Sequence, residues 1–350
     1  MKANTVVSKR KKIVVDVNHP AHVHFFKHFI MEMKERGHEV LITASDKDVT
    51  VNLLNAYGFD FVNMGTYGNT VLRKIATVPL MDLRMVHAVW KFHPEVFLGI
   101  ASSRAAHTAF ALRKKSIVFD DSEHKGQLWA YLPFASTVVT PSCFKKDLGK
   151  KHLRYAGYHE LAYLHPHRFT PNPRGLDELG LSEESCFFVL RFVGWGAIHD
   201  LGAKGFSEKG KVKLVEELVK YGRVIITSEE KLPPDLQRYG LSVPPEKVHD
   251  LLYFARMYVG EGATMASEAA VLGSPSIYVN TISHGYLEEE EKKYGLLRGF
   301  RNEDDALRCV VELLRVNDLK EQWREKRARL LKDKIDVTQY MAELVEKTGE

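Results

Sequence analysis

Cysteine is scarce. Cys143, Cys186 and Cys309 are the only three in 350 residues. They lie far apart, give no CxxC spacing and no even set, and so encode no disulfide framework; a reducing cytoplasm is the expected compartment. Long apolar runs are also missing, and no stretch approaches the ~20 residues that a membrane-spanning helix needs. The first twelve residues carry five basic side chains, but the apolar run behind them, 13–17, is short and broken by Asp16, which reads as no secretion signal. Charge of one sign is nearly balanced, with Lys+Arg 50 against Asp+Glu 45 and a net +5. Spread over this length it does not argue for nucleic acid, while leaving room for an anionic substrate or an acidic membrane surface. There is no GxGxxG dinucleotide pattern and no Walker loop.

What is present is an ordinary globular composition, 45% hydrophobic and 27% charged, which excludes wholesale disorder. The length exceeds the ~100–200 residues usual for one domain, so two domains are expected. Short apolar runs at 13–17, 39–43, 59–64, 96–100, 116–120 and 137–140 alternate with helical patterns. That rhythm predicts parallel βαβ units and a doubly wound sheet. Pro166, Pro171 and Pro173 then cluster with His165, His167 and Gly175. The alternation restarts at 187–190, 223–227, 257–259 and 276–279. The reading is an N-terminal Rossmann-like domain over 12–165, a linker over 166–178, a second such domain over 179–335, and a C-terminal helix over 336–350 that crosses back to the first. Ligands of open α/β sheets gather beyond the carboxyl ends of the strands, so residues just after each strand are the candidates.

The strongest motif is Gly260-Glu261-Gly262-Ala263-Thr264-Met265-Ala266-Ser267-Glu268-Ala269-Ala270. It follows a strand and opens a helix. Small residues let backbone N–H groups come close to a ligand, and the helix start favours a diphosphate. Glu268 stands one turn further on, about 6 Å along the axis, where a carboxylate can accept ribose hydroxyls. Residues 262–275 resemble the donor-binding segment of GT-B proteins. They are similar to the enzyme that adds N-acetylglucosamine to lipid-linked muramyl peptide and to non-hydrolysing UDP-N-acetylglucosamine 2-epimerases. The whole chain most resembles the domain of unknown function 354 family of the same superfamily. That resemblance implies two Rossmann-like domains facing across a cleft, with Gly262, Ala263 and Thr264 at the diphosphate and Glu268 on the ribose.

The first loop, Asp16-Val17-Asn18-His19-Pro20-Ala21-His22-Val23-His24-Phe25-Phe26-Lys27-His28, holds four histidines. His22-Val23 matches the His-Val of the related transferase, although the glycines before it are absent. His22 is a candidate general base, since an unperturbed imidazole titrates near neutrality. His24 and His28, at i and i+4, read as partly buried helix residues. Asp120-Asp121-Ser122-Glu123-His124 follows another strand; Asp121 or Glu123 is the alternative acid or base. Ser102-Ser103-Arg104 adds donors at a helix start. In the second half Arg191 and Ser228 end strands and suit a diphosphate or nucleotide, with His199 weaker and Glu229-Glu230 read as a solvated turn. The resemblance places His284 and Glu288 where GT-B donor sites read sugar hydroxyls.

These residues predict a metal-independent glycosyltransferase of glycan or cell-envelope polysaccharide biosynthesis. It uses a nucleotide-sugar donor, UDP-linked by resemblance, and a glycan or lipid-linked acceptor, with no cofactor. The alternatives are a 2-epimerase, a non-catalytic sugar-nucleotide-binding protein and, more distantly, a metal hydrolase built on His22 and His24. The apolar stretch 75–90, flanked by Arg73, Lys74 and Lys91 and holding Arg84, reads as a core helix or as peripheral contact with the inner face of a membrane.

Overall fold

The computed structural model describes residues 10–47, 49–66, 71–123, 125–193, 205–228 and 231–348. His124, His199, Lys204 and Glu229-Glu230 lie outside the described residues. The chain divides into two compact units, one of Met1–Tyr163 with Ile335–Glu350 and one of Leu164–Lys334.

The first unit runs β1 (Lys12–Val17), α1 (Pro20–Glu35), β2 (Glu39–Ser45), α2 (Thr50–Ala56), β3 (Phe61–Gly65), α3 (Val71–Trp90), β4 (Val96–Ile100), α4 (Ser103–Ala111), β5 (Lys115–Phe119), α5 (Lys125–Tyr131), β6 (Thr137–Pro141), β7 (His152–Tyr155) and the single turn α6 (Leu161–Leu164). Its seven strands are ordered β3-β2-β1-β4-β5-β6-β7 and pair in parallel. Ile13, Val14, Val15 and Val17 are buried, as a strand covered on both faces requires. Helix α3 carries two apolar faces. Among its described side chains Met81, Met85 and Val89 pack into the core, whereas Leu80, Leu83 and Trp90 are exposed.

The second unit runs α7 (Arg174–Asp177), β8 (Phe187–Phe192), α8 (Glu208–Leu218), β9 (Arg223–Ser228), α9 (Val248–Phe254), β10 (Met257–Gly260), α10 (Ala263–Leu272), β11 (Ser276–Val279), α11 (Gly285–Glu289), a π-helical turn (Glu290–Tyr294), β12 (Leu297–Phe300), α12 (Glu303–Leu314) and α13 (Leu319–Asp333). Its five strands are ordered β12-β11-β10-β8-β9 and are also parallel. Trp323 of α13 is buried and donates to the Leu296 carbonyl at 2.7 Å, fixing α13 to this unit. The proline-rich stretch 166–178 lies inside the second unit.

The last helix, α14 (Val337–Lys347), belongs to the first unit. It buries Val337, Met341, Ala342 and Val345. Lys11 donates to the Val345 and Glu346 carbonyls at 3.0 and 2.8 Å, placing a cation where the helix leaves its last carbonyls unpaired. Among the described residues no helix is long and apolar enough to cross a membrane.

Candidate functional site

In the first sheet the strand order reverses direction between β1 and β4, where a ligand-binding crevice is expected. The chain fills the start of that crevice itself. Asp16, on β1, is fully buried and accepts from Thr43 at 2.7 Å, Asn18 at 2.9 Å and Ser102 at 2.6 Å, and it pairs with Arg104. Arg104 also donates to Asn18 at 2.9 Å and Ser45 at 3.3 Å. Burial alone would raise the Asp16 carboxyl; the Arg104 charge and the bonds from Arg104, Ser102 and Thr43 outweigh it and hold the group below its ordinary value. A side chain on Gly99, which pairs with Asp16, would stand 2.6 Å from the Ser102 Cβ, so glycine is what lets Ser102 approach. Ser102 and Arg104, expected as ligand donors, are thus spent within the fold: Ser102 also caps α4 by accepting from the Ala105 N–H at 3.1 Å.

Beyond that knot lie the histidines. His19 caps α1, accepting from the Ala21 N–H at 3.2 Å, and Pro20 occupies the first helical position. His22 Nδ1 accepts from the Asn18 N–H at 3.3 Å. The ring is half-buried in surface terms, but protein crowds its remaining sides. Desolvation, joined by His19 and His159 and opposed by Asp16 and Asp121, pushes it down to about 3. A base so weak takes a proton poorly near neutral pH. His24 faces packing instead, stacked on Tyr163 with ring centroids 5.4 Å apart.

The loop after β5 assigns its three acids differently. Asp120 is buried and accepts from Tyr131 at 2.6 Å and from the Ser122 N–H and Oγ at 2.9 Å each. Glu123 has a left-handed backbone, φ 56°, a conformation rare for a residue with a side chain. Its carboxylate accepts from the Lys145 N–H at 3.0 Å and its carbonyl from the Lys146 ammonium. Asp121 is half-buried and lies 2.9 Å from Nδ1 of His159. His159 went unread in the sequence because no motif surrounds it and it precedes the proline cluster. Asp121, His159 and His22 share one electrostatic neighbourhood at this edge.

In the second sheet the order reverses between β8 and β10. Arg191 stands there, paired with Gly260 on one side and Thr227 on the other, and Ser228 closes β9. Glu261 turns inward, accepting from the Val193 N–H at 3.0 Å and the Phe206 N–H at 2.7 Å. Gly262 begins α10 with no side-chain cap, Ala263 follows, and Thr264 is exposed. Glu268 is buried, its Oε1 3.0 Å from His249 Nε2. His284 precedes α11 and stacks on Tyr286 with centroids 5.5 Å apart, and Glu288 accepts from Ser283 at 3.3 Å and Lys292 at 3.2 Å. Arg191, Ser228 and the Gly262–Thr264 turn therefore share one carboxyl edge, and the His249–Glu268 pair was not legible from spacing.

Comparison with known proteins adds the following. The sequence profile described as a protein of unknown function (DUF354) matches residues 11–345. An uncharacterised protein of Methanocaldococcus jannaschii is 24% identical over 277 residues, covering 75% of this chain and 80% of that one. A protein described as a UDP-N-acetylglucosamine 2-epimerase from Listeria monocytogenes superposes with a TM-score of 0.71 at 12% identity, covering 97% of each chain. SsfS6, a glycosyltransferase from Streptomyces sp. SF2575, superposes with a TM-score of 0.60 at 12% identity, covering 97% of this chain and all of that one. At such identities the likeness shows the fold: two parallel-sheet α/β domains of GT-B type.

Proposed function

The chain belongs to the DUF354 family, and we propose that it is a nucleotide-sugar-dependent glycosyltransferase that takes a UDP-sugar as donor and a glycan or lipid-linked hydroxyl as acceptor. The observation that carries the reading is the uncapped start of α10 behind the Gly260–Gly262 turn, at the switch point of the second sheet. Backbone N–H groups and the helix dipole there suit a diphosphate, and they would meet the charge that builds as the nucleoside diphosphate leaves. Arg191 adds a bidentate cation beside the same turn. Glu268, oriented by His249, is assigned to the ribose, Ser228 to the nucleotide, and His284 and Glu288 to the sugar. No cofactor enters the scheme, and the reaction is read as metal-independent. The first unit supplies the acceptor side and the base.

A 2-epimerase is the second reading. It draws on the gathering of Asp121, His159 and His22, since exchange of a C2 proton needs groups that give and take one. Titration calorimetry with UDP, GDP and CDP, followed by UDP-release assays on UDP-sugars, separates the cases. The expected result is selective UDP binding with UDP released only when a hydroxyl acceptor is supplied. Conversion of UDP-sugar alone to its C2 epimer would install the second reading, and absence of any nucleotide binding would remove both.

A further inference from the structure

The candidate bases of the first unit are not equivalent. Asp120 is buried and committed to Tyr131 and Ser122. The Glu123 carboxylate is committed to the Lys145 backbone. His22 is too acidic a cation to act as a strong base. Asp121 differs from Asp120 in access and from Glu123 in its partner: its side chain keeps 22% of its surface exposed, and it faces an imidazole, the 9% exposed His159 ring at 2.9 Å.

We propose that Asp121 is the proton acceptor of the reaction and that His159 is its positioning residue, a buried imidazole whose Nδ1–H fixes the carboxylate at 2.9 Å. This rests on the transferase reading above and deepens it. Two observations on His159 support the assignment. Its Nε2 is buried and meets no hydrogen-bonding atom among the described residues. A proton placed on Nε2 would therefore be a buried donor without an acceptor, which is costly, so the proton that the ring carries belongs on Nδ1, facing Asp121. The ring is also clamped, with its centroid 4.5 Å from that of Phe25, whose own ring is buried against Phe26 and Phe119. A clamped ring with one usable donor serves to orient a carboxylate rather than to shuttle protons.

The Asp121 charge reaches the whole neighbourhood. It raises His22 against the desolvation there. It adds to the burial that raises Asp120 and Tyr131, and to the burial that lifts Tyr155 well above the usual phenol range. Asp16 and His19 are the other titratable groups acting on His22, and Glu160 acts on Tyr155. In the proposed step the acceptor hydroxyl gives its proton to the Asp121 carboxylate. Its oxygen bonds to the anomeric carbon of the donor sugar, and the bond from that carbon to the phosphate oxygen breaks. The electron pair leaves on the nucleoside diphosphate, and Asp121 later returns the proton to solvent.

The test uses the full chain with His159→Asn, which keeps a donor near the Nδ1 position, His159→Phe, which fills the space without one, and Asp121→Asn. Carboxyl-carbon NMR follows the Asp121 titration, assigned by its loss in Asp121→Asn, and needs no activity. A hydrogen bond to the ionised form lowers a carboxyl pKa, so in His159→Phe the midpoint should rise by about one unit and in His159→Asn it should return toward the parent. With an active UDP-sugar and acceptor, Asp121→Asn should lose ~10²–10⁴-fold in kcat, the usual worth of a general base. His159→Phe should lose less, shift the acid limb of the rate profile to higher pH, and leave KM for the donor and UDP affinity unchanged. An Asp121 midpoint identical in the parent and in folded His159→Phe overturns the positioning role, even if the protein proves to bind no nucleotide. Full kcat in Asp121→Asn overturns the base assignment while leaving the transferase reading intact.

Discussion

The two carboxyl edges solve the same topological problem in opposite ways. At the first switch point the chain places ionised side chains and lets them satisfy one another, with Asp16 and Arg104 buried at the centre. At the second it removes side chains, and Gly260 and Gly262 leave backbone bare at the start of α10. Each unit also pairs a histidine with a carboxylate. In the second both partners are buried, 1% exposed for His249 and 5% for Glu268, whereas in the first the carboxylate keeps access to solvent. The difference teaches where to look for rigidity and where for ligand: the charged knot is a scaffold, and the groups beside it are the ones to which the proposed chemistry is assigned.

The sharpest way to break the contrast is to cut the knot. Arg104→Ala leaves Asp16 buried without its cation, and removing one partner of a buried pair typically costs about 3–5 kcal/mol. Urea unfolding should show that loss, with the folded remainder still binding UDP through the second unit. A change below about 1 kcal/mol would mean that Thr43, Ser102 and Asn18 suffice to hold the carboxylate alone.

The glycine edge should split by position. A Cβ on Gly260 would stand 2.3 Å from the Tyr258 hydroxyl and 2.9 Å from the Arg191 carbonyl, and the carbonyl belongs to a paired strand that cannot retreat cheaply. Gly260→Ala should therefore lose about 1–3 kcal/mol of stability, the usual range for overpacking. On Gly262 the nearest atom would be the Val193 Cγ1 at 3.5 Å, an ordinary contact. Gly262→Ala should melt like the parent yet bind UDP about tenfold more weakly, a difference of ~1.4 kcal/mol, because the methyl crowds the diphosphate turn. Unchanged UDP affinity would move the diphosphate away from α10.

Strand and helix alternation was legible because buried parallel strands must be continuous apolar runs, as at β1, β4 and β10. Strands β7 and β12 escaped notice: His152-Leu153-Arg154-Tyr155 and Leu297-Arg298-Gly299-Phe300 are half-exposed edges, where the burial that writes the apolar signal is absent. The Gly262–Thr264 turn was legible because glycine and small residues mark close backbone approach. His159 and His249 were not, because each gains meaning only from a carboxylate brought beside it by the fold, Asp121 from 38 positions upstream and Glu268 from 19 downstream.

The last expected effect concerns His22, and it separates the desolvated edge from its scaffold by pH. The folded ring sits at about 3 against 6.5 for the free side chain. Between those values the unfolded chain binds a proton that the folded chain refuses, so His22 contributes stability above about pH 6.5 that drains away as the pH falls toward 3. Asp16, also lowered, drains in the same direction from its ordinary value of 3.8 downward and Glu346 from 4.5, whereas Asp120, raised by burial, acts with the opposite sign above 3.8; all three are common to the parent and a His22 variant. His152, lowered by its own burial and by Arg154, acts below pH 6.5 with the same sign as His22, while His107, raised by Asp82, loses its contribution only as the pH climbs above 6.5. His22→Gln keeps a neutral polar side chain and removes the titration. Its unfolding free energy, measured from pH 7 to pH 4, should therefore fall less steeply than the parent's by up to one proton's worth of slope. Parallel curves for the two proteins would show that water reaches the ring freely, and His22 would then regain an ordinary imidazole's claim to be the base.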